Sequence, residues 1–247
     1  QIKDGFITPR HIVDIGHIDK LKEINRVDNT MRLGALTTHA EISTSQLLLH
    51  EAPILAQASA SIGSTQIRNR GTIGGNLCNA SPAADDAPPL LVLEAQLRII
   101  GPEGEKSISI EEFFSGSGET CLKSNEILAD IRFPICPNTG SSLIKLGRRK
   151  AYTLSTVSVA AFVKTRGEIC EETRIALGSV APTPIRARNA ENILREESMT
   201  EDILEEVSRV VMNEVKPITD VRATEQYRRE MAGVLVKRAL EKARGSQ

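Results

Sequence analysis

Apolar positions fall into short alternating runs through the first half of this 247-residue chain. In the second half they form one long run and two helical stripes. Residues 11–15 read as a short buried strand, 19–24 as a helical turn, and 30–36 as an alternating strand. Residues 37–41 open a short helix with a threonine placed to cap it. Residues 51–62 read as a helix, with Pro53 in its first turn and Ile54, Leu55, Ala58 and Ile62 on one face. Gly63 and Ser64 end it. An apolar run, 87–93, starts with Pro88 and Pro89 behind two aspartates, the signature of a helix N-terminus. Strands are expected at 96–100 and 106–110 across a turn at 101–104, then a short helix at 111–114 and a strand at 126–133 closed by Pro134.

Residues 137–140, Pro-Asn-Thr-Gly, are turn-rich and mark the expected boundary between a domain at 1–136 and a second at 140–247. The second opens with residues 143–150. Residues 156–164 read as a clear strand, and 169–180 return as its hairpin partner across Arg166 and Gly167. Ser198-Met-Thr-Glu201 matches a capping box. Ile203, Leu204, Val207, Val210, Val211 and Val215 then make an amphipathic stripe that stops before Pro217. A last helix over 223–242 is expected to bury Tyr227, Met231, Val234, Leu235 and Leu240. Both stripes read as core.

Composition removes several classes of function. Lys plus Arg number 31 against 32 Asp plus Glu, so binding of nucleic acid through bulk charge is not expected. Two Tyr, five Phe and no Trp make no stacking platform for single strands and leave the core to Ile, Leu, Val and Ala. Cys78, Cys121, Cys136 and Cys170 form no C-x-x-C pair, so they read as free thiols of a reducing cytoplasm rather than zinc or iron–sulfur ligands. No apolar run reaches the length of a membrane span. His39 reads as a surface or capping residue.

The chemistry concentrates in residues 66–86, Gln-Ile-Arg-Asn-Arg-Gly-Thr-Ile-Gly-Gly-Asn-Leu-Cys-Asn-Ala-Ser-Pro-Ala-Ala-Asp-Asp. Three glycines allow close backbone approach, and Asn76, Asn79 and Ser81 add short polar groups. The order loop, polar cradle, helix start suits an anion or nucleotide. A tight turn is the plainer reading of the Gly-Gly pair, and neither the Rossmann nor the P-loop spacing is present. Arg68 and Arg70, two apart, point the same way if the segment is extended. They read either as a solvated pair or as a clamp near a cofactor or partner.

Thr72-Ile-Gly-Gly-Asn76, the run Ala80-Ser-Pro-Ala-Ala-Asp85, and Ile175-Ala-Leu-Gly-Ser-Val-Ala-Pro-Thr-Pro-Ile-Arg186 together resemble the FAD-binding subunit or domain of the molybdenum-containing hydroxylases. That family includes xanthine dehydrogenase and the medium subunit of aerobic carbon monoxide dehydrogenase. The resemblance implies an α+β fold, with a PCMH-type FAD-binding domain followed by a carbon monoxide dehydrogenase flavoprotein-type C-terminal domain. It also implies an earlier glycine-rich loop of the A-G-G-T/H type. No such loop occurs in these residues, so an N-terminally truncated domain is expected.

The resemblance implies that Thr72, Ile73, Gly74, Gly75 and Asn76 line the FAD pyrophosphate, with exposed backbone N–H groups meeting phosphate. Asn79 falls near the cofactor, and Asp85 accepts from its hydroxyls. Leu128 meets the flavin or adenine edge through its backbone. Lys145 lies beside the flavin pyrimidine ring, and Leu154 lies over the ring. No residue is expected to act as general acid or base or to bind a metal. The implied role is electron transfer within a heterotrimer. Electrons from a molybdopterin-binding large subunit would pass through a [2Fe–2S] small subunit to FAD, and on to NAD or another acceptor. A stand-alone flavin oxidoreductase and an FAD-less assembly module are the alternatives.

Overall fold

A computed structural model describes residues 2, 5, 7–149 and 152–246. Residues 7–14 are exposed, irregular backbone. Residues 11–15 form no strand, and Ile12 and Val13 are exposed. The expected strand fails because none of the sheet pairings described includes this segment, and an unpaired run cannot hold extended geometry. A 3₁₀ turn at Asp19–Leu21 leads instead into β1 (Ile24–Val27), which pairs antiparallel with β2 (Thr30–Gly34).

Short helices follow. Thr38 closes a capping box with Glu41 and starts α1 (His39–Thr44). Ser45 starts α2 (Gln46–Glu51), and Pro53 opens α3 (Pro53–Ala60). Next come α4 (Thr65–Arg68), α5 (Ile73–Cys78) and α6 (Ala87–Val92). The hairpin β3 (Gln96–Gly101) and β4 (Gly104–Ser109) is followed by a 3₁₀ turn at Ile110–Glu112. After it come the small ribbon β5 (Phe114–Gly116) and β6 (Glu119–Thr120), then β7 (Ile127–Pro134). The first sheet is antiparallel, ordered β1-β2-β7-β3-β4. Its alternate residues Met31, Leu33, Leu97, Ile99, Ile131 and Phe133 share a core with Ile42, Leu55, Ile73, Leu77 and Leu90 from the helices. On the sheet's polar side the buried Asp130 carboxylate takes Arg32, Arg98 and Arg132. Burial pushes its pKa up, but the three arginine hydrogen bonds prevail and hold it below the usual range.

The second sheet contains β8 (Gly140–Gly147), β9 (Ser155–Arg166), β10 (Ile169–Gly178) and β11 (Ile185–Arg186), in the order β11-β10-β9-β8. Lys150, the last residue of the expected opening segment 143–150, lies outside the described residues. β9 is buried from Ser155 to Val163 because both its faces are covered, so its apolar residues do not alternate with exposed ones. Val157, Val159, Ala161 and Val163 face a second core, while Ala160 and Phe162 join the first. The second core is closed by α7 (Arg188–Leu194), α8 (Glu201–Glu214) and α9 (Glu225–Arg244).

The α8 stripe is buried through Leu204, Val207 and Val211, but its cap is Thr200, whose hydroxyl accepts from the Ile203 N–H, and not Ser198. On α9 the buried face is Arg228, Ala232, Leu235, Val236, Ala239, Leu240 and Ala243. Tyr227 and Val234 are exposed. Three small alanines bring this helix close to β9, and that contact selects a face about one residue round from the one expected.

Candidate cofactor site

The Gly-Gly stretch is a helix start rather than a loop. Thr72 sits in extended conformation as the N-cap of α5, and its hydroxyl accepts from the Gly75 N–H at 3.1 Å. The neighbouring donors are engaged as well. Ile73 N–H donates to Thr37 O at 3.0 Å, Gly74 N–H to Ala35 O at 2.8 Å, and Asn76 N–H to Thr72 O at 2.9 Å. In this structure two of these N–H groups dock α5 to the residues just after β2, one bonds the Thr72 cap and one closes the first helical turn. Gly74 is needed there, since a Cβ would lie 2.6 Å from Ala35 O. Gly75 is exposed, and a Cβ would meet only the Thr72 hydroxyl, at 3.0 Å.

Beyond α5 the chain turns through Ala80, whose φ is 46°, and a bend in which Ser81 accepts from the Ala83 N–H. The bend delivers Asp85, 6% exposed, to the junction of the two sheets. Lys145 on β8 donates to Asp85 Oδ2 at 2.7 Å and to Ser61 O at 3.0 Å. Ser155, at the start of β9, donates to Asp85 Oδ1 at 2.5 Å. Burial pushes the Asp85 pKa up, against the pull of Lys145 and Ser155.

A cavity of about 820 Å³ opens beside this group, within the size range of sites for sizeable ligands. One wall carries Ile62, Gly63, Ile67, Asn76, Asn79, Ser81 and Asp85. The other carries Arg148, Arg149, Tyr152, Thr153 and Leu154, with Arg222 from the loop between α8 and α9. Tyr152 has φ 51°, its carbonyl accepts from Arg149 Nε at 2.8 Å, and the guanidinium lies 5.3 Å from its ring. Arg222 is held by Asp220, which also takes the Arg228 guanidinium at 2.6 Å. Burial works against the Asp220 charge, but the Arg222 and Ala223 N–H groups and Arg228 bring its pKa down to about 2. A second hollow of about 610 Å³ shares Gly63, Arg149, Tyr152 and Thr153 with the first and adds Arg68 and Lys145.

The expected residues divide accordingly. Asn76, Asn79, Asp85 and Leu154 line the cavity, and Lys145 reaches it through Asp85. Thr72, Ile73, Gly74 and Gly75 stand behind it, shaping α5. The Leu128 side chain is in the first core, on the part of β7 that runs past the end of β2. Arg68 and Arg70 do not lie on an extended strand. Arg68 ends α4 and clamps the Ile62 and Gly63 carbonyls. His39 is buried rather than at the surface, with Nδ1 3.1 Å from Asp86 Oδ2. Ser155 and Arg222 were not legible as site residues. The one sequence signal for Arg222 is the Asp220-Val-Arg222 pair just ahead of the Thr224 cap.

The lining suits a ligand with a flat apolar part and anionic groups. Aliphatic and aromatic surface faces the Asp85–Lys145 pair, and three arginines stand at the other wall. Among the described residues no cluster of His, Cys, Asp or Glu could hold a metal, and no helix is long and apolar enough to cross a membrane.

Comparison with known proteins agrees with this chemistry. Residues 1–136 match the family described as FAD binding domain in molybdopterin dehydrogenase, and residues 142–243 the CO dehydrogenase flavoprotein C-terminal domain. The chain is 34% identical over 237 residues to the xanthine dehydrogenase FAD-binding subunit of Escherichia coli O157:H7, covering 95% of this chain and 81% of that protein. It is 32% identical over 244 residues to the carbon monoxide dehydrogenase medium chain of Hydrogenophaga pseudoflava, covering 98% and 85%. A solved structure of carbon monoxide dehydrogenase from that organism superposes with a TM-score of 0.95 at 33% identity, over 98% of this chain and 84% of the other. Two matched families and a shared fold lead to one conclusion. The chain belongs to the FAD-binding medium subunits of the molybdenum hydroxylases, oxidoreductase subunits of the xanthine and carbon monoxide dehydrogenase type.

Proposed function

We propose that the cavity between α5 and residues 148, 149 and 152–154 holds FAD and that the chain relays electrons between partner subunits and an acceptor. The observation that carries this reading is the buried Asp85–Lys145–Ser155 group at the cavity wall. Lys145 is the cation that can stabilise negative charge gained by a ring system on reduction, and Asp85 and Ser61 fix its position. Bound flavin supplies the redox chemistry, and the chain supplies binding, orientation and local charge. Asn76, Asn79 and Asp85 offer hydrogen-bonding groups. Leu154, 60% exposed, offers an aliphatic cover from the far wall. Thr72, Ile73, Gly74 and Gly75 hold α5 at the cavity, and β7 around Leu128 packs behind α5.

Electrons enter from [2Fe–2S] clusters on a small subunit, which takes them from a molybdopterin-binding large subunit, and leave to NAD or another acceptor. The names of the relatives support a subunit role, since "medium chain" denotes one component of a larger enzyme. A cytoplasmic heterotrimer is the assembly this reading implies.

The test is the absorption spectrum and thermal stability of the purified full chain given excess FAD. Flavin bands without turnover of the chain alone are expected. A hundredfold excess over Kd should add about 2.7 kcal/mol of stability, raising Tm by roughly 5–10 °C for a chain of this size. Turnover by the chain alone would make it a self-contained oxidoreductase. A colourless chain with no thermal gain would make it an assembly module.

A further inference from the structure

Asp86 sits at the N-cap of α6 yet caps nothing: its side chain makes no bond to the helix N–H groups. The carboxylate is turned inward and is fully buried. Ser59 on α3 donates to its Oδ1 at 2.9 Å, and His39 Nδ1 on α1 lies 3.1 Å from its Oδ2. His39 and Ser59 are themselves 3% and 0% exposed. Burying a carboxylate is costly, and a buried polar cluster of this kind is better at fixing register than at adding stability.

The pieces that this cluster fixes are the two halves of the cavity wall. The His39 backbone N–H donates to Gly71 O at 3.0 Å, and its ring packs so close that a Cβ on Gly71 would lie 3.0 Å from Cδ2. The next residue, Thr72, caps α5, which carries Asn76. On the other side, Asp86 is the peptide neighbour of Asp85, whose carboxylate is aimed at the cavity and holds Lys145 and Ser155. One aspartate faces the cavity and the next faces the core.

We propose that His39 and Asp86 are positioning residues for the cofactor: through Gly71 and Asp85 they hold the α5 start and the Asp85–Lys145 pair at a fixed separation. The inference rests on the FAD reading above. Preorganisation of this kind acts on affinity, because a site that need not reorder on binding loses less free energy.

The experiment measures FAD affinity by titration of flavin fluorescence on the full chain and on His39→Leu, His39→Gln, Asp86→Asn and His39→Leu/Asp86→Asn. Tm is recorded for each. His39→Leu and Asp86→Asn are expected to weaken FAD about tenfold or more and to shift the long-wavelength flavin band. The double variant should be no weaker than the worse single one, since the two residues act as a unit. His39→Gln, which keeps a polar side chain beside the carboxylate, should restore most of the affinity. Val211→Ala in the second core serves as the control: it lowers Tm and leaves affinity alone. If His39→Leu does not fold, Ser59→Ala removes one hydroxyl from the same cluster and should weaken FAD in the same direction. Affinities within about twofold of the unsubstituted chain, or equal losses in the Val211→Ala control, would overturn the inference. An unsubstituted chain that takes up no FAD would instead overturn the functional reading, and this inference with it.

Discussion

Gly74 and Gly75 are adjacent, yet their replacement by alanine should have different outcomes. At Gly74 the new Cβ would lie 2.6 Å from Ala35 O and 2.7 Å from Ala35 Cβ, both at the end of β2. To reach ordinary contact α5 must retreat by roughly 0.8 Å, which stretches the 2.8 Å bond from Gly74 N–H to Ala35 O beyond useful length. Overpacking costs about 1–3 kcal/mol and the lost hydrogen bond about 1 kcal/mol. Alanine returns up to about 1 kcal/mol of helix propensity. The net loss of about 1–3 kcal/mol corresponds to a Tm lower by roughly 2–12 °C in a chain of this length. At Gly75 the helix gain is the same and the only obstacle is the Thr72 hydroxyl at 3.0 Å. Gly75→Ala should therefore melt within about 2 °C of the unsubstituted chain. Calorimetry on the three proteins without added ligand decides it. If Gly74→Ala melts within about 1 °C of the starting protein, or if Gly75→Ala falls equally far, the close approach of α5 to β2 is not what the first glycine serves.

Three further outcomes follow from the charged groups. Lys145→Met leaves a buried carboxylate without its cation and should cost about 3 kcal/mol in urea unfolding. Adding Asp85→Asn should recover much of that loss, and simple addition of the two single effects would contradict the pairing. Asp85→Asn alone should weaken FAD in a fluorescence titration, and unchanged affinity would remove Asp85 from the site. Asp220, with its folded pKa at about 2 against an ordinary 3.8, stabilises the fold above the unfolded value, and the gain is lost as pH falls through about 2. The Tm gap between the unsubstituted chain and Asp220→Asn should therefore be full near neutral pH and shrink between about pH 4 and 2. A gap that stays constant over that window would argue against the charged tether.

Elements that depend on local pattern were legible. A threonine, Thr38, caps α1 as its place before the helix implied, β9 is the expected strand, and α8 buries its stripe, although the capping box expected at Ser198 gives way to a Thr200 cap. The failures involve partners distant in sequence. Residues 11–15 have the pattern of a strand but no neighbour to bond. On α9, contact with β9 chose alanines over Tyr227 and Val234. The Gly-Gly stretch looked like a loop because glycine disfavours helix, but Ala35 and Thr37 accept its first N–H groups and hold the turn in place.

Read alone, the chain carried most of its elements in local periodicity and caps, and its resemblance to a known family implied the α+β class and the FAD ligand. Only the folded chain decided which groups face the cavity. Asp85 meets Lys145 and Ser155 across 60 and 70 residues, and Asp86 turns away from it toward His39. A side chain's direction is set by the packing that leaves it a partner, and no spacing along the chain encodes that.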